Sequence, residues 1–226
     1  MRWLRIFHLA VCLRPGASYW FNPNIHQLGH TGVRGRLHAE LSSFAITLID
    51  WLSYSGENVR IKVSEDTSTV DFGCGVGLST PPGAVGVDTS RAMVNVAQRD
   101  SSKTFFVGNA ETFGENEGFD AATAVFLMHE VPRGAWHRIL DNMRRVSRHK
   151  IVIVDIHASK KPSDWMLRGE PYLSEYLSLF DATIRTWADG VGDEVVYDEP
   201  VPKRVSRWQI VRSESMPTRK NKKDVQ

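Results

Sequence analysis

Three observations predict a doubly wound α/β fold for this chain. Short β-branched runs alternate with helical stretches from residue 69 onward, the pattern of a parallel sheet with crossover helices. Ile151-Val152-Ile153-Val154 is an unbroken apolar run, as a central parallel strand covered on both faces requires. The first strand candidate also runs straight into a glycine-rich turn, and ligands of such sheets bind beyond the carboxyl ends of the strands.

The elements follow in order. A helix is expected from Val33, where Leu37, Leu41, Phe44, Leu48 and Leu52 recur at spacings of three or four, ending before Ser55-Gly56. Thr69-Val70-Asp71-Phe72 and Ala84 to Asp88 are strand candidates, and Ser90 is placed to cap a helix through Arg99 with Met93, Val94 and Ala97 inward. Thr104 to Val107 and Phe119 to Phe126 give two further strands. Trp136, Ile139, Leu140, Met143 and Val146 form a helical stripe before the apolar fifth strand. A last long helix carries Leu173, Tyr176, Leu177, Phe180, Ile184 and Trp187, and strands near Glu194 to Tyr197 and Val205 to Val211 close the fold. Seven strands result.

Composition narrows the classes. At 226 residues the chain fits one α/β domain with an extension. A net charge of +2 gives no footprint for a nucleic-acid partner. No run reaches the roughly 20 apolar residues of a membrane span. The two cysteines, Cys12 and Cys74, make neither a disulfide framework nor a four-thiolate zinc site, so a reducing, cytoplasmic setting is expected. No metal site is expected either, since His26 and His30 at i,i+4 spacing lack a third ligand nearby. Near the start, Arg2 and Arg5 precede Leu9-Ala10-Val11-Cys12-Leu13. That outlines an organelle-targeting segment over the first ~17 residues, but His8 interrupts it and Arg14 closes it early. An amphipathic helix packed on the domain is the reading adopted, with targeting as the alternative.

Asp71-Phe72-Gly73-Cys74-Gly75-Val76-Gly77 is the sharpest signal. Glycines at every second position let the backbone approach a ligand where a Cβ would clash. Leu78 stands where a dinucleotide fingerprint needs Gly or Ala, and no Tyr-x-x-x-Lys pair is present, which disfavours a nicotinamide oxidoreductase. Asp88 ends the second strand, Gly108-Asn109-Ala110-Glu111 follows the third, and the fourth closes in Phe126-Leu127-Met128-His129-Glu130-Val131-Pro132. In this order the segments resemble those of class I S-adenosylmethionine (SAM)-dependent methyltransferases of the small-molecule type, best over Thr69 to Ile156. The resemblance implies a mostly parallel seven-stranded sheet whose last strand is antiparallel. It implies S-adenosyl-L-methionine as cofactor, held by Asp71, Gly73, Cys74, Gly75, Gly77, Asp88, Thr89, Asn109, Ala110, Glu111 and Phe126. Asp88 would accept from both ribose hydroxyls, and Asn109 stands where the family usually has an adenine-side Asp. The implied division is an N-terminal helical extension or lid over 1–55, a SAM-binding domain over 56–213 and a basic, disordered tail over 214–226.

One departure concerns the crossover. Only ten residues separate Gly77 from Asp88, with Pro81-Pro82-Gly83 among them, so at most one helical turn fits before the prolines. An uncovered patch of sheet and a weaker N-terminal dipole for the methionine carboxylate are expected, with the helix from Val33 available to fill the gap. Methyl transfer is an in-line displacement governed by positioning, and a base is needed only where the acceptor must lose a proton. His129 and Glu130 are the catalytic candidates, with Asp155 and His157 ranked below them. Tyr19, Trp20, His26 and His157 are candidates for the wall of a small-molecule site, and Arg168-Gly169-Glu170-Pro171-Tyr172 for an overhang. An inactive methyltransferase fold acting as a scaffold is the alternative function.

Overall fold

The computed structural model describes residues 31–53, 60 and 68–213. Tyr19, Trp20, His26, His30, the targeting stretch and the basic tail lie outside the described residues. In chain order the elements are α1 (Gly32–Ser53), β1 (Thr69–Phe72), β2 (Val85–Asp88), α2 (Arg91–Ala97), β3 (Thr104–Val107), β4 (Phe119–Val125), a 3-10 turn at Met128–Glu130, α3 (Arg133–Val146), β5 (Ser147–Ile156), α4 (Asp164–Gly169), α5 (Leu173–Val191), β6 (Glu194–Val201) and β7 (Val205–Val211). The strands form one seven-stranded sheet in the order β3-β2-β1-β4-β5-β7-β6. β1 to β5 are parallel, and β7 runs antiparallel to both its neighbours, β5 and β6. The order reverses between β1 and β4, which puts a ligand crevice at the carboxyl ends of those strands.

Both faces of the sheet are covered, as a doubly wound fold demands. On one face Val70, Phe72, Ala122, Ala124, Ile151 and Ile153 meet Trp136, Ile139, Leu140 and Met143 of α3 and Tyr176, Phe180 and Ile184 of α5. These are the two helical stripes read from the sequence. On the other face α2 packs Val94 and Ala97 against Cys74 and Phe105, and the Ser90 hydroxyl caps the helix by accepting from the Met93 N–H.

Two expectations are corrected. The row Leu37, Leu41, Phe44 and Leu48 does not face the core: all four are exposed, Phe44 by 73%. α1 instead buries its small-residue side, with Ala39 and Ser42 inward, because small side chains let its backbone come close to α2. Ala39 packs on Val76 of the crossover and Met93 of α2, so α1 does fill space beside the shortened connection. The crossover between β1 and β2 contains no helix, yet it leaves no bare sheet beneath it. Asp71 and Thr123, under the loop, are both 0% exposed, because the loop folds down onto them through hydroxyl contacts.

Candidate active site

The glycine loop is set by its φ angles. Gly73, Gly75 and Gly77 lie at φ +69°, +53° and +86°, the left-handed region open to glycine. At Gly73 close approach adds to the demand: a Cβ there would fall 2.7 Å from Cδ1 of Leu127. At Gly75 a Cβ would meet nothing within 4 Å, so this side of the loop faces open space. The Gly73 and Cys74 N–H groups both donate to the Val87 carbonyl, at 2.8 and 3.1 Å, which draws the loop across the end of β2.

Asp88 stands at that end. Its Oδ2 accepts from the Gly75 N–H at 2.9 Å and its Oδ1 from the Ser90 N–H at 2.7 Å. Burial pushes its carboxyl up to about 6, against the lowering effect of the two N–H donors; the charges of Glu130 and Asp71 add to the rise. Two donors leave a carboxylate further acceptor positions.

Asp71, expected among the cofactor ligands, is placed elsewhere. It is 0% exposed, and its carboxylate accepts from Ser79 Oγ at 2.8 Å, Thr80 Oγ1 at 2.7 Å and Thr123 Oγ1 at 2.8 Å. Burial raises its pKa against those hydroxyls. Asp71 therefore ties the crossover loop to β4 and shapes the cradle from beneath. Cys74 is also turned inward, its thiol pushed well up by burial, so only its backbone is at the loop. Glu111 is occupied too: Arg138 holds it with Nε at 2.7 Å and Nη2 at 3.2 Å. Ala110 is buried and gives its carbonyl to Asn142 Nδ2. Asn109 Oδ1 accepts from the Glu111 N–H at 2.8 Å, an Asx turn that fixes the loop after β3. Thr89, next to Asp88, is half-buried.

Phe126 leaves β4 at φ +58°, a strained angle for a bulky residue, and its ring lies edge-on to His129 with centroids 6.4 Å apart. Arg60 stands over the Phe126 ring at 4.5 Å from the centroid while its Nε donates to Asp50 of α1 at 2.6 Å.

His129 is 5% exposed. Its Nδ1 lies 2.6 Å from Asp155 Oδ1, and Asp155 also accepts from the backbone N–H groups of Met128 at 2.9 Å, His129 at 3.3 Å and Ile156 at 2.7 Å. Burial alone would lower the imidazole pKa. The charge and hydrogen bond of Asp155, with Glu170 and Glu130 behind them, outweigh it and raise the pKa to about 9. Asp155 thus favours the protonated ring. Tyr176 closes the site from α5, its ring centroid 6.0 Å from that of His129 and its hydroxyl donating to the Ile156 carbonyl at 2.9 Å.

His157 is not brought to this site. It turns toward the β6–β7 end, with Nε2 3.3 Å from Glu199 Oε1 and Nδ1 2.8 Å from Ser159 Oγ. The residues that sequence reasoning passed over are Arg60, Ser79, Thr80 and Thr123. The three hydroxyls carry no signature until the buried Asp71 gives them one, and Arg60 lies in no motif. Glu170 falls within the segment singled out as an overhang, and Asp155 was ranked below His129 although it is the group that orients the ring.

Comparison with known proteins agrees with this architecture. Residues 69–150 match the model of a methyltransferase domain. No curated protein matches the chain by sequence. Among solved structures, a SAM-dependent methyltransferase from Aquifex aeolicus is similar with a TM-score of 0.57 at 15% identity, covering 76% of this chain and 97% of its own. A SAM-dependent methyltransferase from Thermotoga maritima gives 0.53 at 16% identity over 78% and 96%. Magnesium protoporphyrin IX methyltransferase from Synechocystis PCC 6803, solved with SAH bound, gives 0.50 at 17% identity over 81% and 88%. Residues 69–150 thus match a methyltransferase-domain model, and the seven-stranded sheet that carries them has the fold of these solved methyltransferases.

Proposed function

We propose that the chain transfers a methyl group from S-adenosyl-L-methionine to a small-molecule acceptor bound beyond β4. The observation that carries the reading is the glycine loop folded onto Asp88, with Phe126 and His129 on the same edge of the sheet. The residues fit the cofactor. Gly75 faces open space, so a ligand can approach its backbone directly, and Asp88 keeps acceptor positions for ribose hydroxyls beyond its two backbone donors. Backbone of Gly73, Cys74 and Gly77, with Thr89, lines the sugar and methionine side. Asn109 and Ala110 border the adenine, where Asn109 has its amide N–H groups to offer since its oxygen is held in the turn. The Synechocystis relative with bound SAH supports the same cofactor.

Arg60 has a particular role. A crossover without a helix offers no N-terminal dipole for the methionine carboxylate, and Arg60, held over Phe126 by Asp50, brings a positive charge to that end of the cleft. Bound SAM supplies an activated methyl on sulfonium. The protein's share is orientation and exclusion of water, with Phe126 as a wall and His129 and Glu130 positioning the acceptor. A modest net charge, and Tyr176 and Glu170 buried beside His129, suit a small acceptor in preference to a nucleic acid.

Calorimetric titration of the full chain with SAM and SAH tests the reading. Asp88→Ala, in a folded variant, should lose about 1.5–3 kcal/mol of binding free energy, a tenfold or larger loss of affinity. No binding by the wild-type chain would leave the inactive scaffold as the surviving function, and unchanged affinity in Asp88→Ala would reduce Asp88 to a tie for the loop.

A further inference from the structure

His129 is fixed from one side only. Asp155 holds Nδ1 at 2.6 Å, and three backbone N–H groups hold Asp155. Nε2, on a side chain 5% exposed, makes no hydrogen bond among the described residues; the nearest charged group is Glu170 Oε2 at 3.9 Å. Glu130 joins them, and one donor atom from each of His129, Glu130 and Glu170 lies within 4.8 Å of the others. An imidazole and two carboxylates make a mixed nitrogen–oxygen donor set suited to divalent transition metals. A carboxylate gripping the far ring nitrogen is the outer support that such ligands use to fix tautomer and direction.

We propose that His129 Nε2, Glu130 and Glu170 form a binding site for a divalent first-row transition-metal ion, with Asp155 as its positioning residue. Ligand atoms around a tetrahedral ion with bonds of about 2.1 Å stand about 3.4 Å apart, so the three donors need to draw in by about an ångström. Turning of the Glu130 and Glu170 side chains would have to supply that distance. Three carboxylates surround the ring, so the cluster carries excess negative charge that favours a cation there, and an ion on Nε2 would replace the ring proton. Three protein ligands leave coordination positions open. Because the site lies at the exit of β4, an acceptor oxygen or nitrogen bound there would be placed at the edge where the cofactor is expected. Chain spacing conceals the site, since Glu170 comes 40 residues after Glu130.

The site stands independently of the methyl-transfer reading, and so does its test. The full chain, stripped with a chelator and dialysed, is titrated with Zn2+ by calorimetry, and bound zinc is counted by elemental analysis. One zinc per chain is expected. Glu170→Gln, which keeps the side chain's shape, and His129→Ala should each weaken binding by about 100-fold, and Asp155→Asn by about 10–100-fold. His149→Ala, at the amino end of β5 and 72% exposed, should leave the affinity unchanged. Circular dichroism of each variant separates loss of the site from loss of the fold. Asp88→Ala should keep full zinc affinity, so failure of the cofactor reading and failure of this one are told apart. Absence of zinc binding by the wild-type chain, or binding that survives in folded Glu170→Gln and His129→Ala, would overturn the proposal and leave the cluster as a buried ion pair.

Discussion

Gly73→Ala should destabilise the protein and weaken cofactor binding together, because one residue sets both the loop and the end of β4. Gly73 sits at φ +69°, where any Cβ costs roughly 1–2 kcal/mol. The added carbon would also lie 2.7 Å from Leu127 Cδ1 and 3.1 Å from its Cβ and Cγ. Leu127 is buried and joins Phe126 to Met128, so it cannot swing out, and overpacking of this kind costs about 1–3 kcal/mol. The sum is about 2–5 kcal/mol. Urea denaturation of Gly73→Ala, Leu127→Ala and the double variant isolates the clash. Leu127→Ala removes Cδ1 and Cγ, including the nearest atom struck, so the double variant should be more stable than the two losses added together, by about 1–3 kcal/mol. Additive losses, or a cost below about 0.5 kcal/mol for Gly73→Ala, would refute the claim that the loop presses on the exit of β4.

Two further outcomes are expected. Asp88 has its carboxyl raised to about 6, and its ionised form is the one able to accept from two hydroxyls. SAM affinity should therefore hold above pH 7 and fall by about tenfold between pH 7.5 and 5, as the ionised fraction drops; a calorimetric pH series that is flat, or that keeps its slope in Asp88→Ala, would contradict this. Asp71→Ala should cost about 2–4 kcal/mol in denaturant unfolding, since it leaves the buried hydroxyls of Ser79, Thr80 and Thr123 without their acceptor. Asp71→Asn should cost less, and an Asp71→Ala variant as stable as wild type would remove the tie between loop and β4.

The parallel sheet was legible because burial on both faces writes itself as apolar runs: β1 and β3 begin and end where the sequence placed them, and the stripes of α3 and α5 are the buried faces of those helices. β5 was read too short. Ser147 to Lys150 are polar, and their strand conformation comes from pairing with β4 and β7. α1 misled for a different reason. Periodicity finds the apolar row of a helix but cannot weigh it against a row of small residues that permits closer packing, and the side carrying Ala39 and Ser42 won. Within the site, the glycine loop and Asp88 were visible as local motif. The inward turn of Asp71, the cover supplied by Ser79 and Thr80, the Asp155–His129 pair and the approach of Glu170 and Arg60 are contacts between distant segments that no spacing encodes.

A structure of the chain in complex with SAH tests the central claim most directly. The ribose hydroxyls should lie within hydrogen-bond distance of the Asp88 carboxylate, about 2.5–2.7 Å for so charged a pair. The adenine should rest beside Asn109 and Ala110, and the sulfur should point toward Phe126 and His129. Nucleoside bound away from Asp88, or a glycine loop that stays closed to SAH at saturating concentration, would contradict it.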